Sequence, residues 1–148
     1  MPFVLVALAV LMGCASAIQG ASNGLLSGRV GLGAAVWINA LVVASGATIL
    51  WLVLPRGPAA SAGSIPWYLY LGGCYGLVII AGAAFAFPRL GAGPTTAWMI
   101  AAQLTTALVL DHHGVPSGKI DVTPVRLVGA LLLVAGAVLV LWPKLAEK

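Results

Sequence analysis

The stretch Leu127–Pro143, LVGALLLVAGAVLVLWP, holds no charged residue and is bounded by Arg126 and Lys144. An apolar run of about 17 residues or more is what a helix needs to cross the roughly 30 Å hydrocarbon layer. It does not alternate apolar with polar residues, so it is no strand of a transmembrane barrel. Backbone groups in lipid must be satisfied within the segment itself, which leaves a helix. Four more charge-free stretches precede it: Met1–Gly28, Val30–Pro55, Gly57–Pro88 and Leu90–Leu110. All charged side chains fall between or beyond these five.

The composition agrees with that partition. Only 7% of the 148 residues are charged and 61% are hydrophobic. A soluble domain carries about a quarter of its residues as charges. The chain therefore reads as an integral membrane protein, all-α, a single bundle of five transmembrane helices with short connectors. Approximate bounds are 2–26, 34–54, 66–87, 93–110 and 124–142. Pro2 suits the first turn of the first helix. The glycine-rich connector Ser27–Gly33 is expected to break the first helix from the second, Pro55-Arg56-Gly57-Pro58 to stop the second, and Pro88-Arg89 to end the third. Trp37, Trp51, Trp67 and Trp142 fall near helix ends, where indoles favour the headgroup level.

The net charge of +4 comes from a few loop residues. It bears on topology and on membrane lipid, not on nucleic acid, for which no basic run with interleaved aromatics exists. Leu11-Met12-Gly13-Cys14 and Ala15-Ser16-Ala17 look like processing sites, but no Lys or Arg precedes Arg29, as a secretory signal would require. The segment is read as a membrane helix. Cys14 and Cys74 read as small membrane-buried thiols, with no metal-ligand spacing around them or around His112 and His113. No phosphate-cradling loop, metalloprotease motif or nucleophile–base pair suggests an enzyme, and no cofactor is implied.

Polar groups inside apolar runs face a protein core or cavity by default. Gln19 and Asn23 stand four residues apart on one face of the first helix. Asn39, Ser45 and Thr48 lie on the second; Thr95, Thr96, Gln103, Thr105 and Thr106 lie on the fourth, with Gln103 nearest a midplane. Gln19, Asn23, Asn39 and Gln103 are the candidate substrate contacts. The alternative for each is interhelical hydrogen bonding, worth roughly 0.6 kcal/mol on average. No carboxylate or lysine occupies the middle of a span, which disfavours proton-coupled export of cations. Asp111-His112-His113-Gly114, at the end of the fourth helix, is either a proton relay or gate at the interface, or a helix-end cluster with Gly114 as the stop. Gly72, Gly73 and Gly76 form a small-residue patch for helix packing, within one copy or between copies.

Five spans place the termini on opposite sides. Arg29, Arg89, Lys144 and Lys148 then share one rim; Arg56, Lys119 and Arg126 share the other. Four against three gives the positive-inside rule nothing to choose between. A chain with no charge bias can insert both ways and pair with its own inverted copy. Many transporters reach that symmetry by internal duplication; no internal repeat is evident here, so a second copy would have to supply it.

Several motifs, taken in order, resemble a known family. They are Gln19-Gly20-Ala21-Ser22-Asn23-Gly24-Leu25-Leu26, Trp67 with Leu71-Gly72-Gly73 and Gly76, Pro88-Arg89-Leu90-Gly91-Ala92, Gln103-Leu104, Asp111-His112-His113-Gly114 and Arg126-Leu127-Val128-Gly129. Together they are similar to the YdcZ-type branch of the drug/metabolite transporter superfamily, across nearly the whole chain. The resemblance implies a five-helix unit equivalent to half of a ten-helix member, hence an antiparallel homodimer in the inner membrane. It implies polar functional positions at Gln19, Asn23, Gln103 and Asp111. His113 stands where the family more usually has a hydrophobic or aromatic residue. The membrane-embedded glutamate of the superfamily's four-helix multidrug members has no counterpart here. The expected function is secondary transport of a small polar or drug-like solute by alternating access. The alternatives are a channel-like facilitator and a non-transporting membrane subunit.

Single cysteines placed at the two termini are expected to label from both faces of the membrane. Uniform one-sided labelling rules out dual insertion.

Overall fold

The structure is a computed structural model that describes residues 2–55, 65–116 and 118–146. Arg56 and Lys148, two of the charges in the topology count, and most of the loop expected after Pro55 lie outside the described residues. The described residues form five α-helices: α1 Pro2–Val30, α2 Leu32–Val53, α3 Gly72–Leu90, α4 Ala92–His113 and α5 Pro124–Ala146. A short 3-10 turn, Trp67–Leu71, leads into α3. Four spans are long and apolar enough to cross a membrane: α1, α2, Trp67–Leu90 and α5. At 22 residues α4 has the length, but Thr95, Thr96, Gln103, Thr105 and Thr106 make it less apolar than the others. The chain divides into two compact units, residues 1–89 and 90–148.

Four of the five helices end later than the sequence suggests, α2 alone stopping one residue early at Val53. α1 runs through Ser27-Gly28-Arg29 to Val30, because an isolated glycine lowers helix stability by only about 1 kcal/mol and does not stop a helix held by lipid. The break is one residue, Gly31, at φ 84° and ψ 155°. That region of backbone space is open essentially to glycine alone. Gly31 N–H donates to Ser27 O at 2.9 Å and closes α1, while Gly31 O accepts from Ala35 N at 3.0 Å and opens α2. α3 likewise passes through Pro88 to Leu90. A proline so near the end removes a single helical bond. Gly91 then takes φ 90° and ψ 161° before α4. Both turns carry the same order, Arg-x-Gly-x-Gly, at Arg29–Gly33 and Arg89–Gly93. Arg89 Nη1 folds back on Phe85 O at 2.6 Å, with the guanidinium 3.6 Å from the Phe85 ring centre.

In the first unit the buried residues are mostly small and gather at one end. Gly20, Asn23 and Gly24 of α1, Ala35 of α2, and Ala83, Ala84 and Phe87 of α3 make this core. Gly20 faces the Phe87 ring so closely that any side chain there would overlap it. A β-carbon on Gly24 would lie 3.1 Å from the Pro88 ring. Large apolar residues outside this end, such as Val4, Leu11, Val42, Trp51, Leu69 and Val78, are exposed. Close backbone approach, not burial of large side chains, holds such helices together in lipid.

In the second unit α4 and α5 form a hairpin along Thr95, Ala101, Leu108, Ala130 and Ala137. α4 closes as a Schellman motif: Gly114 N donates to Asp111 O at 3.1 Å, and Val115 N to Leu110 O at 3.0 Å, with Gly114 left-handed at φ 80° and ψ 23°. Gly114 is therefore the helix stop. Thr123 caps α5, its Oγ1 accepting from Arg126 N at 3.4 Å, and Pro124 takes the first helical position.

Replacing Gly20 by Val is expected to destabilise the detergent-solubilised protein by about 1–3 kcal/mol, the usual range for overpacking. Adding Phe87→Ala should recover part of the loss, as read from thermal unfolding of the two single variants and the double.

Candidate functional site

The candidate residues of the first unit are Gln19, Asn23 and Asn39. Asn23 lies on the buried face of α1, between Gly20 and Gly24, and is 6% exposed. Asn39, about two turns into α2, donates from Nδ2 to Asn23 Oδ1 at 2.9 Å. Asn39 Oδ1 is buried and accepts nothing among the described residues. Gln19 is exposed, although it shares the i, i+4 relation with Asn23. The two amides stand about 40° apart around the helix, which is enough to separate them at the edge of so narrow a contact.

The hydroxyls behave differently. Ser45 Oγ donates to Leu41 O, Thr48 Oγ1 to Ala44 O, and Thr105 Oγ1 to Ala101 O, each at 2.8 Å. Bonding back to the carbonyl four residues earlier satisfies them without any partner helix. Thr95 does the same to Gly91 O at 2.8 Å, at the turn. Asn23 and Asn39 instead bond to each other across two helices.

In the second unit Gln103 is exposed, on the face of α4 away from the seam with α5. Asp111 is bound from two sides. Its carboxylate Oδ2 accepts from Arg126 Nη2 at 2.7 Å, with the Arg126 and Asp111 side chains 37% and 25% exposed. Its main-chain carbonyl accepts from Gly114 N and from Ile120 N, the latter at 2.9 Å. Arg126 thus ties the start of α5 to the end of α4. His112 and His113 are exposed, stacked edge to face with ring centres 5.6 Å apart. Both border a groove of about 500 Å³ between α4 and α5, lined also by Leu108, Val109, Leu127, Ala130 and Val134. Asp111 itself is not part of that lining.

Gly72, Gly73 and Gly76 meet nothing among the described residues: a β-carbon on any of them would stand in open space. In the first unit the glycines that do receive a neighbour are Gly20 and Gly24, whose four-residue spacing is itself a packing signal that the sequence reading passed over. Arg126 was also missed as a partner of Asp111, since two residues on different helices leave no local trace. Cys14 and Cys74 are exposed free thiols. Among the described residues no cluster of His, Cys, Asp or Glu could hold a metal.

Long apolar helices joined by tight turns define a multi-pass membrane protein, with amides on helices that otherwise present hydrocarbon. The chain belongs to the family described as "Putative inner membrane exporter, YdcZ", which it matches over residues 4–139. It is accordingly an inner-membrane protein of the transporter class. No curated protein and no solved structure matches it.

The Asp111–Arg126 pair is part-exposed, so its coupling should be modest, about 1 kcal/mol. In a double-mutant cycle of Asp111→Asn and Arg126→Gln read by thermal unfolding, the double variant should be more stable than the sum of the singles predicts by that amount.

Proposed function

We propose that the chain is a small secondary transporter working as an antiparallel homodimer, with Gln19, Asn23, Asn39 and Gln103 contacting a small polar solute. The observation that carries this reading is the pair Gln19 and Gln103. Each places a carboxamide on the exposed surface of a membrane helix, and neither makes a hydrogen bond among the described residues. An amide left to hydrocarbon costs several kcal/mol by alkane transfer, roughly 4–8. A polar vestibule shared with a second copy removes that cost. The exposed small-residue face at Gly72, Gly73 and Gly76 offers the close approach that such a copy needs. Four basic residues against three on the two rims leave both orientations open to the inserting chain.

Alternating access would follow from the two copies exchanging conformations, so that the inward state of the dimer mirrors the outward one. Asp111 and His112 would then sit near the mouth of the pathway. Asp111 is already paired with Arg126, which suits a gate or anchor better than a freely titrating proton carrier.

A thermal-shift screen of metabolites and cationic drugs on the purified protein should find a stabilising solute. That solute should show counterflow in reconstituted vesicles, with uptake lowered about tenfold or more by Gln19→Ala and by Gln103→Ala. Unchanged transport in both variants removes the site assignment. Uptake without trans-stimulation indicates a channel-like facilitator instead. Purification only with another chain indicates a non-transporting subunit.

A further inference from the structure

The groove of about 500 Å³ between α4 and α5 has apolar walls, among them Val109, Leu127, Leu131 and Val134, and opens at His112 and His113. Its α4 side runs from Thr105 to His113, a rise of about 12 Å at 1.5 Å per residue. One leaflet supplies about half of the roughly 30 Å hydrocarbon layer. The groove is thus nearly one leaflet deep, with its mouth where α4 ends. At the inner end the surroundings turn polar: Thr105 also borders a smaller recess of about 320 Å³ with Trp98 and Thr106. Spread over that depth, the groove has a section of about 40 Å², against about 80 Å² or more for a helix 10–12 Å across. An extended hydrocarbon chain fits it; a neighbouring helix could insert only side chains.

The mouth differs from the walls. His112 and His113 are the titratable side chains that line the groove. A histidine is neutral or positive, and in either state its ring presents an N–H donor. The adjoining Asp111 carboxylate is outside the lining and is neutralised by Arg126. Lys119 and Asp121, farther along the connection to α5, offset each other in charge. Two donors that carry no negative charge therefore stand at the rim of an apolar slot. A soluble anion would use the rim and leave the walls bare, and a plain hydrocarbon would ignore the rim. An amphipath with an anionic head uses both.

We propose that the groove binds an anionic phospholipid of the surrounding bilayer. One acyl chain lies along Val109, Leu127, Leu131 and Val134, and the phosphate accepts N–H bonds from His112 and His113. Basic pockets between membrane helices select anionic lipids on the same grounds. The site needs only a membrane-embedded α4–α5 hairpin and does not depend on the transporter reading.

The test uses the purified full-length protein in detergent, with bound lipid counted by native mass spectrometry as dioleoyl phosphatidylglycerol or dioleoyl phosphatidylcholine is titrated in. The two share their chains and differ in head-group charge. Phosphatidylglycerol should bind about tenfold more tightly. His112→Ala combined with His113→Ala should bring the two lipids within about twofold of each other. Val109→Trp, which fills the groove from an exposed position, should weaken both by about tenfold through lost burial of the chain. Glycerol 3-phosphate, a head group without a chain, should not bind in the same range. Phosphatidylglycerol with a photoreactive group at the end of one chain should label α4 near Thr105 or α5 near Val134. Equal binding of the two lipids, an unchanged preference in the double histidine variant, or glycerol 3-phosphate binding as tightly as lipid overturns the assignment. So does labelling confined to other helices. Val109→Trp that keeps its lipid overturns it too, and loss of a homodimer in that variant would assign the groove to a second copy. Should Val109→Trp not fold, the head-group comparison and the photolabel still decide.

Discussion

Every backbone N–H and C=O in the hydrocarbon layer has to find its partner within its own segment, so the difficult places in this chain are the helix ends. Gly31 meets the demand with one residue, its N–H closing α1 and its carbonyl opening α2. Gly91 repeats the same backbone geometry before α4. Gly114 ends α4 with both Schellman bonds, and Thr123 and Pro124 start α5. Such ends need almost no connecting chain, which is how 148 residues supply five helices of 19 to 29 residues. Little is left outside the helices to carry a function of its own.

The same solvent reverses the usual logic of a core. Lipid is as apolar as leucine, so burying a large side chain against a helix gains little. The buried residues are mostly glycine, alanine and threonine, and the large aliphatics face outward. Protein-facing surfaces are therefore marked by close approach and by hydrogen bonds. On that criterion the Gly20–Phe87 and Gly24–Pro88 contacts and the Asn23–Asn39 bond identify the organised end of the first unit. In the second unit the seam of α4 with α5 and the Asp111–Arg126 pair do the same.

Charge placement alone made the five helices and their membrane character legible, because an apolar run bounded by arginine or lysine has few other readings; the inner membrane came from the family motifs. The ends were less legible. Gly28 and Pro88 look like breakers on paper, yet each lies inside a helix, since in lipid the alternative to a slightly strained helix is an unsatisfied backbone. The stop at Gly31 shows only as a positive φ. Sequence spacing put Gln19 and Asn23 on one face, but whether a face is buried depends on what approaches it. Asn39 and Arg126 were visible as residues and not as partners, because a bond between helices has no period along the chain.

The arginine–carboxylate pair also bears on how the charge balance should be counted. Arg126 is matched by Asp111, which invites subtracting it from its rim. Insertion, however, reads lysines and arginines near the ends of nascent spans and gives carboxylates little weight. The pair forms only after α4 and α5 have come together as a hairpin. The rim count expected from five spans would thus belong to the unfolded, inserting chain, and the pair is a property of the folded one. Arg29 and Arg89 strengthen the point: each stands two residues before a turn glycine at the end of an odd-numbered helix. Their basic charge therefore stands at helix ends in the inserting chain, where lysines and arginines are counted.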